Sequence, residues 1–289
     1  MNLTYIYQNP FSMKRILVPT DFSFSADKAC EYGFEIAAGL GAEMVLMHAF
    51  QQEYRHPDMP ADSYDMVHDD AAKKMETIRD AAKADPRYAD VKVTIAPFFG
   101  STRDMIDEAV EQYNPMLIIM GTEGATNLQK RLFGTNTQNV VHDFKIPVLA
   151  VPKDAEVANF RNFILAADYF PGEDKAIEFI RDFSRDLKAH LTIMHVGDVP
   201  EDLSVSESAE GMRLHRIIGE EVKHDFQFVE NDDVTDGIEE YLDHRHDAGL
   251  LIMISHDRSD WLERILIPRH TNKVLDRMKI PTLIVDDEF

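Results

Sequence analysis

The chain repeats itself at a fixed interval. Ile164-Leu165-Ala166-Ala167-Asp168 mirrors Leu17-Val18-Pro19-Thr20-Asp21, and a histidine follows each aspartate 27 positions later, at His48 and His195. Further along each half, Ile280-Pro281-Thr282-Leu283 matches Ile146-Pro147-Val148-Leu149 at an offset of 134. Such register is hard to obtain by chance, so the chain is one fold duplicated rather than two unrelated domains. Its 289 residues suit two domains of about 140 residues each better than a single core.

Within a copy, short apolar runs alternate with helical patterns. Residues 15–20 read as a first strand with Asp21 at its carboxyl end, and Ser23 and Ser25 are candidate caps for the helix that follows. That helix carries Ala29, Gly33, Ile36 and Ala37 at helical spacing and stops at Gly39-Leu40-Gly41. Residues 44–50 form a second buried strand. His48 near its end reads as a satisfied core histidine rather than a general base, because no carboxylate or cysteine partner is placed beside it. Residues 51–68, polar and proline-containing, read as a surface loop, and 69–83 as an amphipathic helix with Ala71, Met75, Ile78 and Ala82 on one face. Val91, Val93 and Ile95 alternate with other residues, which predicts a half-covered strand near a sheet edge. Ser101 or Thr102 caps a helix bearing Met105, Ile106, Ala109 and Val110, and residues 116–120 and 147–152 supply two more strands.

Strands and helices alternating at this rhythm mean right-handed βαβ units and a mainly parallel sheet. The expected fold class is therefore α/β, with two tandem, doubly wound, Rossmann-like sheets of five strands each. The expected division is an N-terminal extension over residues 1–12, a first domain over 13–153 and a second over 160–289, joined by a linker near 153–159. A formal net charge of −22 argues against nonspecific nucleic-acid or anionic-membrane binding, both of which rest on basic patches. The single Cys30 excludes an intrachain disulfide, which suits a reducing cytoplasm, and its neighbours Ala26, Ala29 and Gly33 predict a buried position. No apolar run approaches the roughly 18 residues of a membrane helix. Residues 1–12 lack a basic n-region and a continuous apolar core and so do not read as a signal peptide, leaving an extension or an upstream start.

The stretch with the most chemical content follows the apolar run 116–120. Gly121 and Gly124 leave the strand end free of side chains, nine residues intervene, and Gly134-Thr135 opens a helical pattern whose first N–H groups are suited to an anion. No lysine follows the last glycine, so this is not a Walker A loop, nor is it the Gly-x-Gly-x-x-Gly of dinucleotide folds.

The spacing Gly-x2-Gly-x9-Gly-Thr between a strand and a helix resembles the ATP-binding signature of the universal stress protein family. Ile16-Leu17-Val18-Pro19-Thr20-Asp21-Phe22-Ser23 resembles that family's first strand. The resemblance spans nearly the whole chain in two copies, with the motif intact in one. It implies that Asp21 contacts the ribose or adenine side, with Pro19 and Thr20 shaping the wall and Ala49 beside the base. Met120, Gly121 and Gly124 would line the phosphate path, and Gly134, Thr135 and Asn136 would donate to the phosphates, accompanied by a divalent ion such as magnesium. The family usually has serine then valine at the last two positions, so Thr135 and Asn136 depart from it.

The implied ligand is ATP, with AMP and ADP as variants. The implied role is a stress-response or signalling protein whose nucleotide state alters its conformation or partners, with hydrolysis absent or slow. The alternative is a nucleotide-independent interaction scaffold. The resemblance also implies that residues 148–151 and 283–285 pair at the sheet edges, forming an intramolecular pseudo-dimer. It allows a homodimer of whole chains as well, and names no downstream protein.

The second copy departs where the chemistry should be. Gly121, Gly124, Gly134 and Thr135 become Ser255, Arg258, Pro268 and Arg269, so side chains crowd the backbone and Pro268 supplies no N–H. Elsewhere, His244 and His246 stand two apart on a helical pattern and point in different directions, which disfavours zinc. His142-Asp143 reads as a surface or capping pair. No nucleophile elbow, His-Glu-x-x-His pair or cysteine cluster is present.

Overall fold

A computed structural model describes residues 13–50, 63–122, 135–157, 160–167, 172–197, 209–245, 247–255 and 280–287. The first repeat runs β1 (Arg15–Pro19), α1 (Phe24–Leu40), β2 (Glu43–Phe50), α2 (Ser63–Lys83), β3 (Val93–Phe99), α3 (Thr102–Tyr113), β4 (Leu117–Gly121), α4 (Thr135–Asp143) and β5 (Val148–Val151). The second runs β6 (Asn162–Ala166), α5 (Asp174–Asp186), β7 (His190–Gly197), α6 (Ala209–Ile218), β8 (His224–Glu230), α7 (Val234–Asp243), β9 (Leu250–Ser255) and β10 (Thr282–Asp286).

The two five-stranded halves join edge to edge into one ten-stranded sheet of order β3-β2-β1-β4-β5-β10-β9-β6-β7-β8. Read outward from its centre, that order is the same in both directions, as a duplicated fold requires. Every neighbouring pair is parallel except β5 and β10, which run antiparallel with Thr282 opposite Ala150, Leu283 opposite Leu149 and Ile284 opposite Val148. This is the edge-strand pairing that the family resemblance implies. It leaves neither inner edge with unpaired backbone groups.

The central strands are apolar throughout because both faces of the sheet are covered. On one face a single continuous core runs across both repeats, through Ile16, Tyr32, Ile36, Leu149, Phe163, Phe183 and Leu283. Tyr32 and Phe160 meet edge to face at 5.2 Å across the repeats. Gly39 lies inside α1, where a Cβ would come within 2.5 Å of Leu187, so the glycine permits α1 to lie close to the end of α5. Arg161 to Glu35 at 2.8 Å and Lys14 to Asp186 at 2.6 Å add ion pairs between the halves. The other face carries separate cores for the two repeats, one around Val45, Ile106, Ile118 and Val140, the other around Ile164, Met194, Ile238 and Leu251.

Most element expectations hold, and the exceptions have physical reasons. Helix α2 begins at Ser63, inside the stretch read as a loop. Its first turns expose Met66 and Val67, so they carry no core-facing periodicity to read. Strand β3 starts at Val93 rather than Val91 and continues through Pro97 to Phe99. It is the outermost strand, where a proline is tolerated because one side has no ladder to lose. Cys30 is buried as expected, and burial pushes its thiol up to about 12.

Leu149 and Leu283 face each other fully buried at the seam. Replacing Leu149 with aspartate should cost at least the roughly 2–5 kcal/mol of a buried leucine truncation, and both repeats should unfold together in one urea transition shifted to lower denaturant. A second repeat that melts separately and unchanged would contradict dependence on the seam.

Candidate functional site

In the first repeat the chain leaves β1 toward β2 and leaves β4 toward β5, although β1 and β4 are neighbours, with Ile16 opposite Leu117 and Leu17 opposite Ile118. The crevice beyond their carboxyl ends is therefore a topological switch point, the place where open α/β sheets hold ligands. On the β1 side the turn is fastened by its own side chains. Pro19 and Thr20 are buried, the Thr20 hydroxyl accepts the Phe22 N–H at 3.0 Å, and the Asp21 carboxylate accepts the Ser23 N–H at 3.0 Å. Ser23 caps α1 by accepting the Ala26 N–H.

This fastening holds Phe22 in the left-handed region at φ 60, a conformation an aromatic residue adopts at a cost. Its ring lies 4.4 Å from that of His48 and beneath the Lys74 ammonium, 5.5 Å away. His48 Nδ1 donates to the Thr20 carbonyl at 2.7 Å, which fixes the half-buried ring against the β1 end. Asp21 remains exposed. It also acts on Asp27 in the first turn of α1, whose carboxyl is pushed above its ordinary range by burial first and then by Glu31 and Asp21. Ala49, half-buried in β2, completes this wall.

On the β4 side, Met120 is buried and Gly121 half-buried. The buried Thr137 hydroxyl donates to the Gly121 carbonyl at 3.0 Å, which pins the first turn of α4 against the strand end. Thr135 opens this helix and Asn136 is exposed on its first turn, where backbone N–H groups have no intrahelical acceptor. Gly124 and Gly134 lie outside the described residues.

Gly121 has a packing requirement of its own. A Cβ there would stand 2.6 Å from the Ser25 backbone carbon and 2.7 Å from its carbonyl oxygen. Ser25 is not the helix cap. It is buried against β4 and donates to the Val151 carbonyl at 3.3 Å. Thr137, Ser25 and Phe22 thus all shape the site without having been singled out for these roles. A small hydroxyl residue two positions after the Gly134-Thr135 opening is the only sequence signal for Thr137.

The second repeat keeps the frame and changes the lining. His195 Nδ1 donates to the Ala167 carbonyl at 2.9 Å, repeating the His48 bond, but alanine replaces Thr20 and its hydroxyl bond is gone. The positions matching Ser25 and Ala26 are Gly172 and Glu173, which precede α5, so the helical turn that presses on Gly121 has no counterpart there. Ser255 accordingly fits at the Gly121 position, buried, with a hydroxyl that has no hydrogen-bond partner among the described residues. Asp168 and residues 256–279 lie outside the described residues. A groove of about 870 Å³ between α1 and α2 is walled by Phe34, Ile78 and Phe160, with its polar end closed by Glu35 on Tyr88 and Arg161.

Gly121→Ala should therefore destabilise the chain by about 1–3 kcal/mol through overpacking, whereas Ser255→Ala, which removes a buried hydroxyl with no partner among the described residues, should be neutral or stabilising by up to about 1 kcal/mol. Urea unfolding of both variants checks this, and equal effects would contradict the packing difference between the repeats.

Comparison with known proteins agrees with this architecture. The sequence profile of the universal stress protein family matches residues 13–152 and 159–286. The universal stress protein MJ0577 of Methanocaldococcus jannaschii is 27% identical over 158 residues, covering 48% of this chain and 95% of that protein. Among solved structures, a universal stress protein from Archaeoglobus fulgidus superposes with a TM-score of 0.68 at 23% identity, covering 96% of this chain and 100% of that one. A universal stress protein from Pseudomonas aeruginosa gives 0.57 at 17% identity over 96% of this chain and 95% of that one.

Proposed function

The chain belongs to the universal stress protein family, and from that membership we propose that its first repeat binds an adenine nucleotide, ATP foremost, and that the bound state alters its conformation or partners in a stress response. The observation that carries this reading is the polarity of the crevice between β1 and β4. One side offers the exposed Asp21 carboxylate, suited to ribose hydroxyls, and the other the first turn of α4, suited to phosphate and held to the strand end by Thr137. An acidic wall on one side and an anion-accepting helix end on the other suit a ligand with hydroxyls at one end and negative charge at the other.

In this reading Pro19, Thr20 and Ala49 shape the base and ribose wall, and Met120, Gly121 and Gly124 line the path to the phosphates. Gly134, Thr135 and Asn136 donate to the phosphates. Magnesium would accompany the phosphates, where it keeps several waters and takes phosphate oxygens. The motif itself places no general base beside the phosphates, so slow hydrolysis at most is in keeping with this reading. The second repeat, with Ser255, Pro268 and Arg269 in place of the motif, serves as a structural partner.

The packing requirement at Gly121 favours a second reading, a nucleotide-independent scaffold in which the glycines serve close approach alone. Calorimetry with ATP and magnesium separates the two. One site per chain is expected, abolished by Gly124→Trp with the melting temperature kept within a few degrees. No binding, two equivalent sites, or binding that survives this substitution would overturn the nucleotide reading.

A further inference from the structure

Away from the strand ends, α6 and β8 bring two imidazoles together. His215 Nδ1 lies 2.8 Å from His224 Nε2, and their ring centroids are 5.0 Å apart. His224 Nδ1 lies 2.8 Å from the Val222 carbonyl oxygen. A carbonyl only accepts, so Nδ1 carries the ring proton and the lone pair of a neutral His224 is left on Nε2, aimed at His215. His215 is exposed and His224 half-buried, so the gap between the rings is open to solvent on one side.

We propose that His215 and His224 form a binding site for a divalent transition-metal ion, copper(II) or nickel(II), with water completing its coordination. The observed 2.8 Å is the length of a hydrogen bond from His215 Nδ1 to His224 Nε2, so an ion takes the place of that bond once the exposed His215 ring turns its lone pair toward it. Copper(II) and nickel(II) stand at the high-affinity end of the divalent series for nitrogen donors. Imidazole is also a preferred donor for these ions.

The surroundings support replacement of the hydrogen bond between the rings by a metal ion. His215 moves its ring proton from Nδ1 to the outer Nε2, so two lone pairs face the ion and no net proton is released. The bond from His224 to Val222 is the second interaction that orients a ligating ring and fixes its tautomer. His215 sits in the last turn of α6, at the negative end of the helix dipole, although its own carbonyl accepts the Gly219 N–H at 2.9 Å and that of Ile217 accepts from Arg181 at 3.1 Å. Glu220 and Glu221 are exposed in the following turn, with Arg216 and Lys223 offsetting part of their charge. Among the described residues no three or more histidine, cysteine, aspartate or glutamate side chains gather into a metal set, so the site is an open two-ligand one. An ion bound there ties the end of α6 to the start of β8, nine residues apart in sequence.

The test uses the full chain without nucleotide or phosphate, in a buffer that does not coordinate metal, with copper(II) at one equivalent. Electron paramagnetic resonance should show hyperfine structure from two imidazole nitrogens, and His215→Gln and His224→Gln should each abolish that signal and weaken copper affinity by at least about tenfold. His190→Gln is the control, since His190 faces Asp225 at 3.3 Å and is no part of the pair. Melting without metal verifies that the variants remain folded. An unchanged spectrum in either pair variant, or the same loss with His190→Gln, would overturn the proposal.

Discussion

The antiparallel contact between β5 and β10 is the constraint on which the rest of the molecule depends. Each repeat alone ends in a short, wholly buried strand with one unpaired edge, a row of backbone donors and acceptors that water or another chain would otherwise take up. Joining the two edges turns the two halves into one ten-stranded sheet and lets a single core run beneath both. Because β4 and β9 lie directly inside the seam, the strand that carries each candidate loop is held from both sides.

That shared frame makes the differences between the repeats interpretable. The same strand order puts a switch point at β1 and β4 and another at β6 and β9, and the same histidine bond closes the first strand of each. What differs is the lining: threonine against alanine after the first strand, and glycine under a helical turn against serine where that turn is missing. A duplicated domain whose fold is secured by the seam can change the lining of one copy without losing its structure.

Much of the frame was legible because the buried strands are continuously apolar and their spacing repeats. The onset of α2 was not, since Met66 and Val67 are exposed and leave no periodic face. Ser23 and Ser25 were equivalent as caps by spacing alone. Only the approach of α1 to β4 separates them, sending Ser25 to the Val151 carbonyl. Gly121 was recognisable as a special glycine, yet its first demand comes from the Ser25 backbone rather than from a ligand. The strained Phe22 and the clamp from Thr137 depend on how turns and helices meet, and the meeting of His215 with His224 depends on how α6 lies over β8, none of which has a periodic signature. Gly124 and Gly134 lie outside the described residues, so the loop they bound stands on its spacing.

The central claim is that one frame carries a nucleotide site in the first repeat and none in the second. Amide hydrogen exchange with and without ATP and magnesium reads both loops in one experiment. ATP held by the α4 end and the flanking backbone should slow exchange across residues 121–137 and leave the matching residues 255–271 unchanged. Equal slowing of both stretches, or no change in either, would contradict the account.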